Sequence, residues 1–227
     1  MISDNIACIR ENISRVCQKL GRNPDEITLV AVTKFASLSL VQEAIRQGIR
    51  DVGENKVQEA LKKFTVLESP AVRKHMIGHL QTNKAKQALE IFDLIQSVDS
   101  LKLAREIQKQ AAKLNKTAEI LIQVNTAGEQ QKFGADPREV SALLAEVLKF
   151  SNILVKGFMT IAPLTGDKDS VRCCFEDLRK LSERAQNEFR GSARFDPKHL
   201  SMGMTDDYEI ALEEGSNMVR IGRAIFS

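Results

Sequence analysis

One lysine stands out for its surroundings. Lys34 follows Leu29-Val30-Ala31-Val32-Thr33, a run apolar enough for a strand buried on both faces. At the end of such a strand an amine lies beside apolar walls, where desolvation disfavours its charged form and lowers its pKa. A neutral amine attacks an aldehyde and forms a Schiff base. The competing reading is a lysine that carries its ammonium out to water along its own methylenes. Two glycine segments near the other end of the chain point to a second chemistry. Ser201-Met202-Gly203-Met204-Thr205 and Arg220-Ile221-Gly222-Arg223 each set a glycine among hydroxyls or cations. Glycine lets backbone N–H groups approach an anion closely, and Ser201 or Thr205 has a hydroxyl to donate. The alternative is two tight turns that need glycine for their shape alone.

These residues act together only if the fold gathers them. Eight runs read as strands: Ile27–Thr33, Ile49–Gly53, His75–His79, Leu94–Val98, Glu119–Asn125, Leu154–Thr160, His199–Met202 and Met218–Gly222. Helical patterns lie between them. Ser39 with Gln42 has the spacing of a capping box, and Gly48 stands where that helix should stop. Asp136-Pro137 with Glu139 marks another start. Asp99 is placed to cap a helix through Lys113, and Asp206–Glu214 ends at Gly215. Strands alternating with helices require parallel pairing, and about 28 residues per unit is just enough for one (β/α)8 barrel of TIM type. The expected architecture is therefore a single α/β barrel domain over 1–227, with an open doubly wound sheet as the competitor.

Only five residues follow Gly222, too few for a final helix. Asn5–Leu20, however, repeats Ile6, Ile9, Ile13, Val16 and Leu20 at helical spacing. This helix is expected to fill the empty slot between the eighth and first strands.

Such a barrel carries its chemistry at the C-terminal ends of the strands, with a recurrent phosphate site after strands seven and eight. Closure makes strand eight a neighbour of strand one, so Lys34 comes to lie beside the two glycine segments. A ligand with both an aldehyde and a phosphate satisfies both, and pyridoxal 5′-phosphate is such a ligand.

Composition narrows the remaining classes. Lys and Arg number 33 against 30 Asp and Glu, for a net charge of +3. The charges are mixed along the chain, and Lys84, Lys86 and Lys102 to Lys116 read as solvated helix faces, so no nucleic-acid partner is expected. No apolar run reaches the ~18 residues of a membrane span, and Met1-Ile2-Ser3-Asp4-Asn5 has no secretory pattern. The expectation is a cytoplasmic protein that meets no membrane. The four cysteines form no C-x-x-C pair, so no metal site is expected. Cys173 and Cys174 suit a helix with one thiol inward and one outward. No long apolar stripe calls for a partner copy, and a monomer is expected.

The motifs together resemble the YggS/PROSC family of pyridoxal phosphate homeostasis proteins, also called alanine-racemase N-terminal-domain-like proteins. The resemblance rests on Val30-Ala31-Val32-Thr33-Lys34, Gly53-Glu54-Asn55-Lys56-Val57-Gln58-Glu59 and Ile77-Gly78-His79-Leu80-Gln81-Thr82-Asn83-Lys84. It continues through Gly157-Phe158-Met159-Thr160, Leu200-Ser201-Met202-Gly203-Met204 and Val219-Arg220-Ile221-Gly222-Arg223-Ala224-Ile225-Phe226. It implies a single barrel with pyridoxal phosphate on Lys34 and a role in cofactor homeostasis or carriage to apo-enzymes rather than turnover. It also implies that Arg220, two residues before Gly222, faces the pyridine nitrogen as the matching arginine does in the racemases. A cation there disfavours ring protonation and weakens the ring as an electron sink. Two departures stand out: the chain ends at Ser227, where members have a glycine and a short tail, and position 56 is Lys where many have Tyr.

Four readings of the activity follow. A cofactor carrier or sensor retains its ligand and turns over little. An amino-acid racemase of the alanine racemase type needs an acid–base group on each cofactor face. Lys34 serves one face, whereas Tyr208, the only tyrosine, falls in the helix after strand seven and is expected to pack structurally. A lysine aldolase needs no retained cofactor, and an interaction module would use Gly53–Glu59 and Gly78–Lys84. Three further residues have paired readings. Asn55 contacts the ligand or caps the following helix through Leu67, and His79 lines the mouth or bonds to backbone. Met159 packs against the ring or the core. With Lys34, Ser201, Met202, Arg220, Gly222 and Arg223 they complete the candidate cofactor site.

Overall fold

The apolar run before Lys34 forms the first strand, β1 (Thr28–Val32), and the other runs follow it in order. The computed structural model describes residues 1–67, 71–129 and 131–227. The remaining strands are β2 (Asp51–Glu54), β3 (Arg73–Met76), β4 (Leu94–Val98), β5 (Ala118–Gln123), β6 (Ile153–Met159), β7 (Phe195–Ser201) and β8 (Met218–Ile221). Neighbours pair parallel in chain order and the sheet closes, with Val30 opposite Arg220 and Ala31 opposite Ile221. This is the expected (β/α)8 barrel.

The helices are α1 (Ile2–Lys19), α2 (Leu38–Arg46), α3 (Val57–Phe64), α4 (Ala85–Ile91), α5 (Leu101–Lys113), α6 (Val140–Val147), α7 (Lys168–Glu188), α8 (Tyr208–Glu213) and α9 (Arg223–Phe226). The main core lies between helices and strands, where α1 contributes Ile6, Ile9, Ile13, Val16 and Cys17. Cys17 takes the place expected of Leu20, which is exposed after the helix has ended. α1 packs on α2, α8 and α9, so it does fill the slot at the β8–β1 seam. It shares that slot with a final helical turn, α9, that the few residues after Gly222 had argued against. The Asn5 side-chain amide donates to the Ile225 and Ser227 carbonyls at 3.1 and 3.2 Å, tying α9 to α1.

Several boundaries differ from expectation for identifiable reasons. β3 begins and ends earlier than His75–His79. Gly78 lies so close to β2 that a Cβ there would sit 2.3 Å from the Asn55 carbonyl oxygen. The chain turns away at this crossing and leaves His79 in the loop. β7 extends back to Phe195 through Pro197, a residue that hides a strand in sequence. Ser37, not Ser39, caps α2, accepting from the Leu40 N–H at 3.4 Å. Ser100, not Asp99, caps α5 in the same way. Asp136 accepts from the Arg138 N–H in a turn that precedes α6, which starts at Val140. α8 likewise starts at Tyr208 rather than Asp206. On α7, Cys174 is buried and Cys173 exposed, as the vicinal pair suggested.

The barrel lumen is divided. Val30, Leu94, Leu121, Met159 and Met218 form a small apolar cluster. Around it lie polar side chains that are equally buried: His75, Gln96, Ser201 and Arg220. A lumen of this type is usually filled by branched apolar residues, so the polar set is a departure tied to the mouth above it.

Candidate functional site

The turn carrying Lys34 is pinned from beneath. The Thr33 N–H donates to the Gly53 carbonyl at 2.8 Å, and its hydroxyl lies 2.9 Å from a Glu54 carboxylate oxygen. The Lys63 ammonium, reaching back from α3, bonds the Thr33 carbonyl at 2.6 Å and Glu54 at 3.1 Å. Glu54 is fully buried and Lys63 nearly so, which makes this a desolvated ion pair with all its near partners in place. Lys34 itself is exposed, its ammonium 4.7 Å from the centre of the Phe35 ring. Of the two readings of Lys34, desolvated amine or ammonium carried out to water, the structure shows the second. Its strand is buried, but the residue sits two positions beyond the strand's end, where the chain has reached the rim.

A cleft of about 400 Å³ opens at the β8–β1 seam, within the range of small-molecule sites. Lys34, Arg220, Gly222 and Arg223 line it, together with Met204 and Thr205 from the segment after β7. Phe35 and Leu164 stand at its walls and are among the most exposed apolar residues described. Gly203 shapes the β7 end: its φ is +96°, and a Cβ would lie 2.6 Å from the Ala211 methyl. Met204 donates its N–H to Asp207 at 2.6 Å, which holds the turn into α8.

Arg220 is the buried charge of the cleft. One guanidinium nitrogen donates to the Ser201 hydroxyl at 2.7 Å and another to the Thr160 carbonyl at 2.8 Å. Burial pushes its pKa down to about 10, opposed by the Asp207 carboxylate, so it remains a cation at neutral pH. Burial in turn pushes the Asp207 carboxyl upward. Of the five N–H donors a guanidinium carries, two groups have partners among the described residues, and the cleft is where the others find room.

The other candidates are distributed differently. The Ser201 hydroxyl is fully buried in the lumen, accepts from Arg220 and gives its one proton to Gln96 at 2.7 Å. It has none left for an anion, which moves that expectation to Thr205. Arg223 is exposed and paired with Asp206. The Met202 side chain joins the core outside the barrel, and Met159 lies in the lumen cluster. Asn55 does not cap α3, whose start has no side-chain cap, and its buried side-chain oxygen has no partner among the described residues. His79 is exposed on the far side of the mouth, stacked 3.8 Å from the Phe133 ring and 3.5 Å from an Asp99 oxygen. Tyr208 is buried at the start of α8, and contact with Asn12 of α1 counters the burial that raises its pKa. Glu54, Lys63, Gln96 and His75 were not singled out in sequence, because each acts through partners on other elements.

Known proteins resemble the chain along its length. The family model for the alanine racemase N-terminal domain matches residues 5–227. Relatives called pyridoxal phosphate homeostasis protein include those of Aquifex aeolicus, 38% identical over 98% of this chain and 96% of the relative, and Escherichia coli K12, 37% identical over 99% and 95%. The chain belongs to the pyridoxal phosphate homeostasis protein family. A solved structure, that of PipY, the COG0325 family member of Synechococcus elongatus PCC7942, covers the chain completely at 31% identity. Its TM-score is 0.89 without pyridoxal phosphate and 0.87 with it bound. Alanine racemase of Clostridium difficile shares only the fold, with 15% identity and a TM-score of 0.77, and this chain spans 56% of its length.

Proposed function

We propose that the protein holds pyridoxal 5′-phosphate in the cleft at the β8–β1 seam, covalently through Lys34, and retains and hands on the cofactor rather than turning over amino acids. The observation that carries this reading is that one cleft is lined by an accessible lysine, a buried arginine with free donors and the glycine segment after β8. Family membership and the cofactor-bound PipY structure support the choice of ligand. The cofactor brings an aldehyde, a phosphate and an aromatic ring that acts as an electron sink.

The chain's own groups match those three ends. The Lys34 amine serves the aldehyde. Arg220 directs a donor at the ring nitrogen and, as a fixed cation, opposes its protonation. Gly222, Thr205 and Arg223 serve the phosphate, with Arg223 exchanging its Asp206 partner for the anion. Asn55 stands one strand over from Lys34 and has an amide to offer the ring's edge. The glutamate–lysine pair beneath Thr33 fixes the turn from which Lys34 reaches in.

Carriage is favoured over racemisation by one observation: Tyr208, the one tyrosine that could serve the second cofactor face, is buried against α1 and is committed to packing. Apo-enzymes are the inferred recipients, and the protein is inferred to act as a monomer.

The test is the visible absorbance of the purified protein after adding pyridoxal phosphate, with Lys34→Ala alongside and borohydride added to both. The expected result is a yellow band in the wild type that borohydride bleaches, with the mass of a pyridoxyl group fixed on Lys34. No band, or a fixed group on another lysine, overturns the assignment.

A further inference from the structure

A continuous hydrogen-bonded chain crosses the barrel lumen from the cleft to the opposite end. An Arg220 nitrogen meets the Ser201 hydroxyl at 2.7 Å, and Ser201 meets the Gln96 carbonyl oxygen at 2.7 Å. The Gln96 amide nitrogen meets His75 Nδ1 at 2.8 Å, and His75 Nε2 meets an Asp51 oxygen at 2.9 Å. The five residues come from β8, β7, β4, β3 and β2. All but Asp51 are buried.

The proton positions in this chain leave no choice. A guanidinium has only donors, so Ser201 accepts from Arg220 and its single proton goes to Gln96. The Gln96 oxygen is thereby taken, so its amide end faces His75. The same nitrogen lies 3.2 Å from the Met218 sulfur, a weak acceptor, in keeping with that orientation. His75 Nδ1 must then accept, its proton sits on Nε2, and that proton is given to the Asp51 carboxylate. Every donor points away from the cleft, so each bond polarises the next and the run ends on an anion.

We infer that Ser201, Gln96 and His75 are positioning residues for Arg220: they form a one-way chain, anchored on Asp51, that fixes the rotation of the guanidinium and hence the direction of its free N–H groups in the cleft. With the chain broken, Arg220 keeps one named partner, the Thr160 carbonyl, and turns about it. The sequence assigned Ser201 to the phosphate; its use here explains why a hydroxyl at the end of β7 faces the lumen. The inference rests on the cofactor reading only for what the free N–H groups meet.

The experiment has two readouts. In cofactor-free protein labelled with nitrogen-15, hydrogen exchange of the Arg220 guanidinium is measured in the wild type and in Gln96→Leu. Exchange at least about tenfold faster in the variant is expected, because guanidinium protons held in the buried chain exchange only when it opens. In protein loaded with pyridoxal phosphate, Gln96→Leu should weaken retention about fivefold and shift the visible band. In an Arg220→Met background the same substitution should change neither. Ser201→Ala should behave as Gln96→Leu does, and Ser201→Thr, which keeps the hydroxyl, should restore wild-type behaviour. This pair carries the test should Gln96→Leu fail to fold. Unchanged exchange in both broken chains overturns the inference, as does an effect of equal size in the Arg220→Met background, which would mark general packing. A wild type that takes up no pyridoxal phosphate defeats the cofactor reading alone, and the exchange experiment still decides the role of the chain.

Discussion

Lys34 and Arg220 stand at one cleft in opposite environments. The Lys34 amine is exposed at the rim, open to a ligand. The Arg220 cation is buried, where charge is felt most strongly. Lys34 is held by its neighbours rather than by its own contacts, so the buried pair below it should matter. Glu54→Ala leaves the Lys63 ammonium without its anion in a dry site and should lower unfolding free energy by about 3 kcal/mol in urea denaturation. Thr205→Ala should weaken phosphate retention several-fold while leaving borohydride fixation on Lys34 intact, measured by dialysis of loaded protein. At this scale Lys34 and Gly222 stood out because they follow recognisable strands, and Arg220 stood out through the family resemblance. Gln96, His75, Glu54 and Lys63 did not. Their roles depend on partners on other strands or helices, and nothing local in sequence distinguishes a lumen glutamine from a surface one.

The elements were read from apolar runs, and the runs that succeeded best were those buried on both faces. β4 matches its expected limits, and β1, β5 and β6 fall within one or two residues of them. β3 and β7 were misplaced because their limits are set by tertiary events, the Gly78–Asn55 crossing and a strand running through Pro197. The caps at Ser37 and Ser100 were each missed in favour of a nearby polar residue, since several residues in each stretch had the right chemistry. α9 was missed because it is too short to form by its own propensity. It persists through packing on α1 and the two bonds from Asn5. Asn5→Ala should therefore leave the barrel intact but loosen this corner. Amide exchange of residues 223–227 should rise severalfold with a cost of about 1 kcal/mol to the whole.

The whole molecule has one end suited to ligand and another dense in paired charge. Arg73 with Glu119 and Lys156 with Asp196 gather towards the strand starts, and neutral His75 donates to Asp51 beside them. Two histidines there are held neutral. Burial lowers the pKa of His75, and burial with the Arg73 and Lys156 cations lowers that of His199 to about 4. An unfolded histidine takes its proton near pH ~6.5. Below that value the unfolded chain binds protons that the folded one refuses, so stability falls as pH drops from about 6.5 towards about 4. Thermal melts across this window should show that decline, and His199→Asn should flatten it. A slope that is unchanged in the variant would assign the loss to other groups.

The closure of β8 on β1 has a consequence in time as well as in space. Lys34 follows the first strand of the barrel and Arg220 lies on its last, and nothing joins them until that last strand docks. No partly synthesised chain can possess the cleft. Contacts so distant along the chain form late and carry a large closure entropy. Ligand captured there would reward only the completed barrel, and so would shift the balance towards it by mass action. Occupancy of the cleft would then serve as a certificate of complete folding: a copy without both seam strands has no complete cleft to fill.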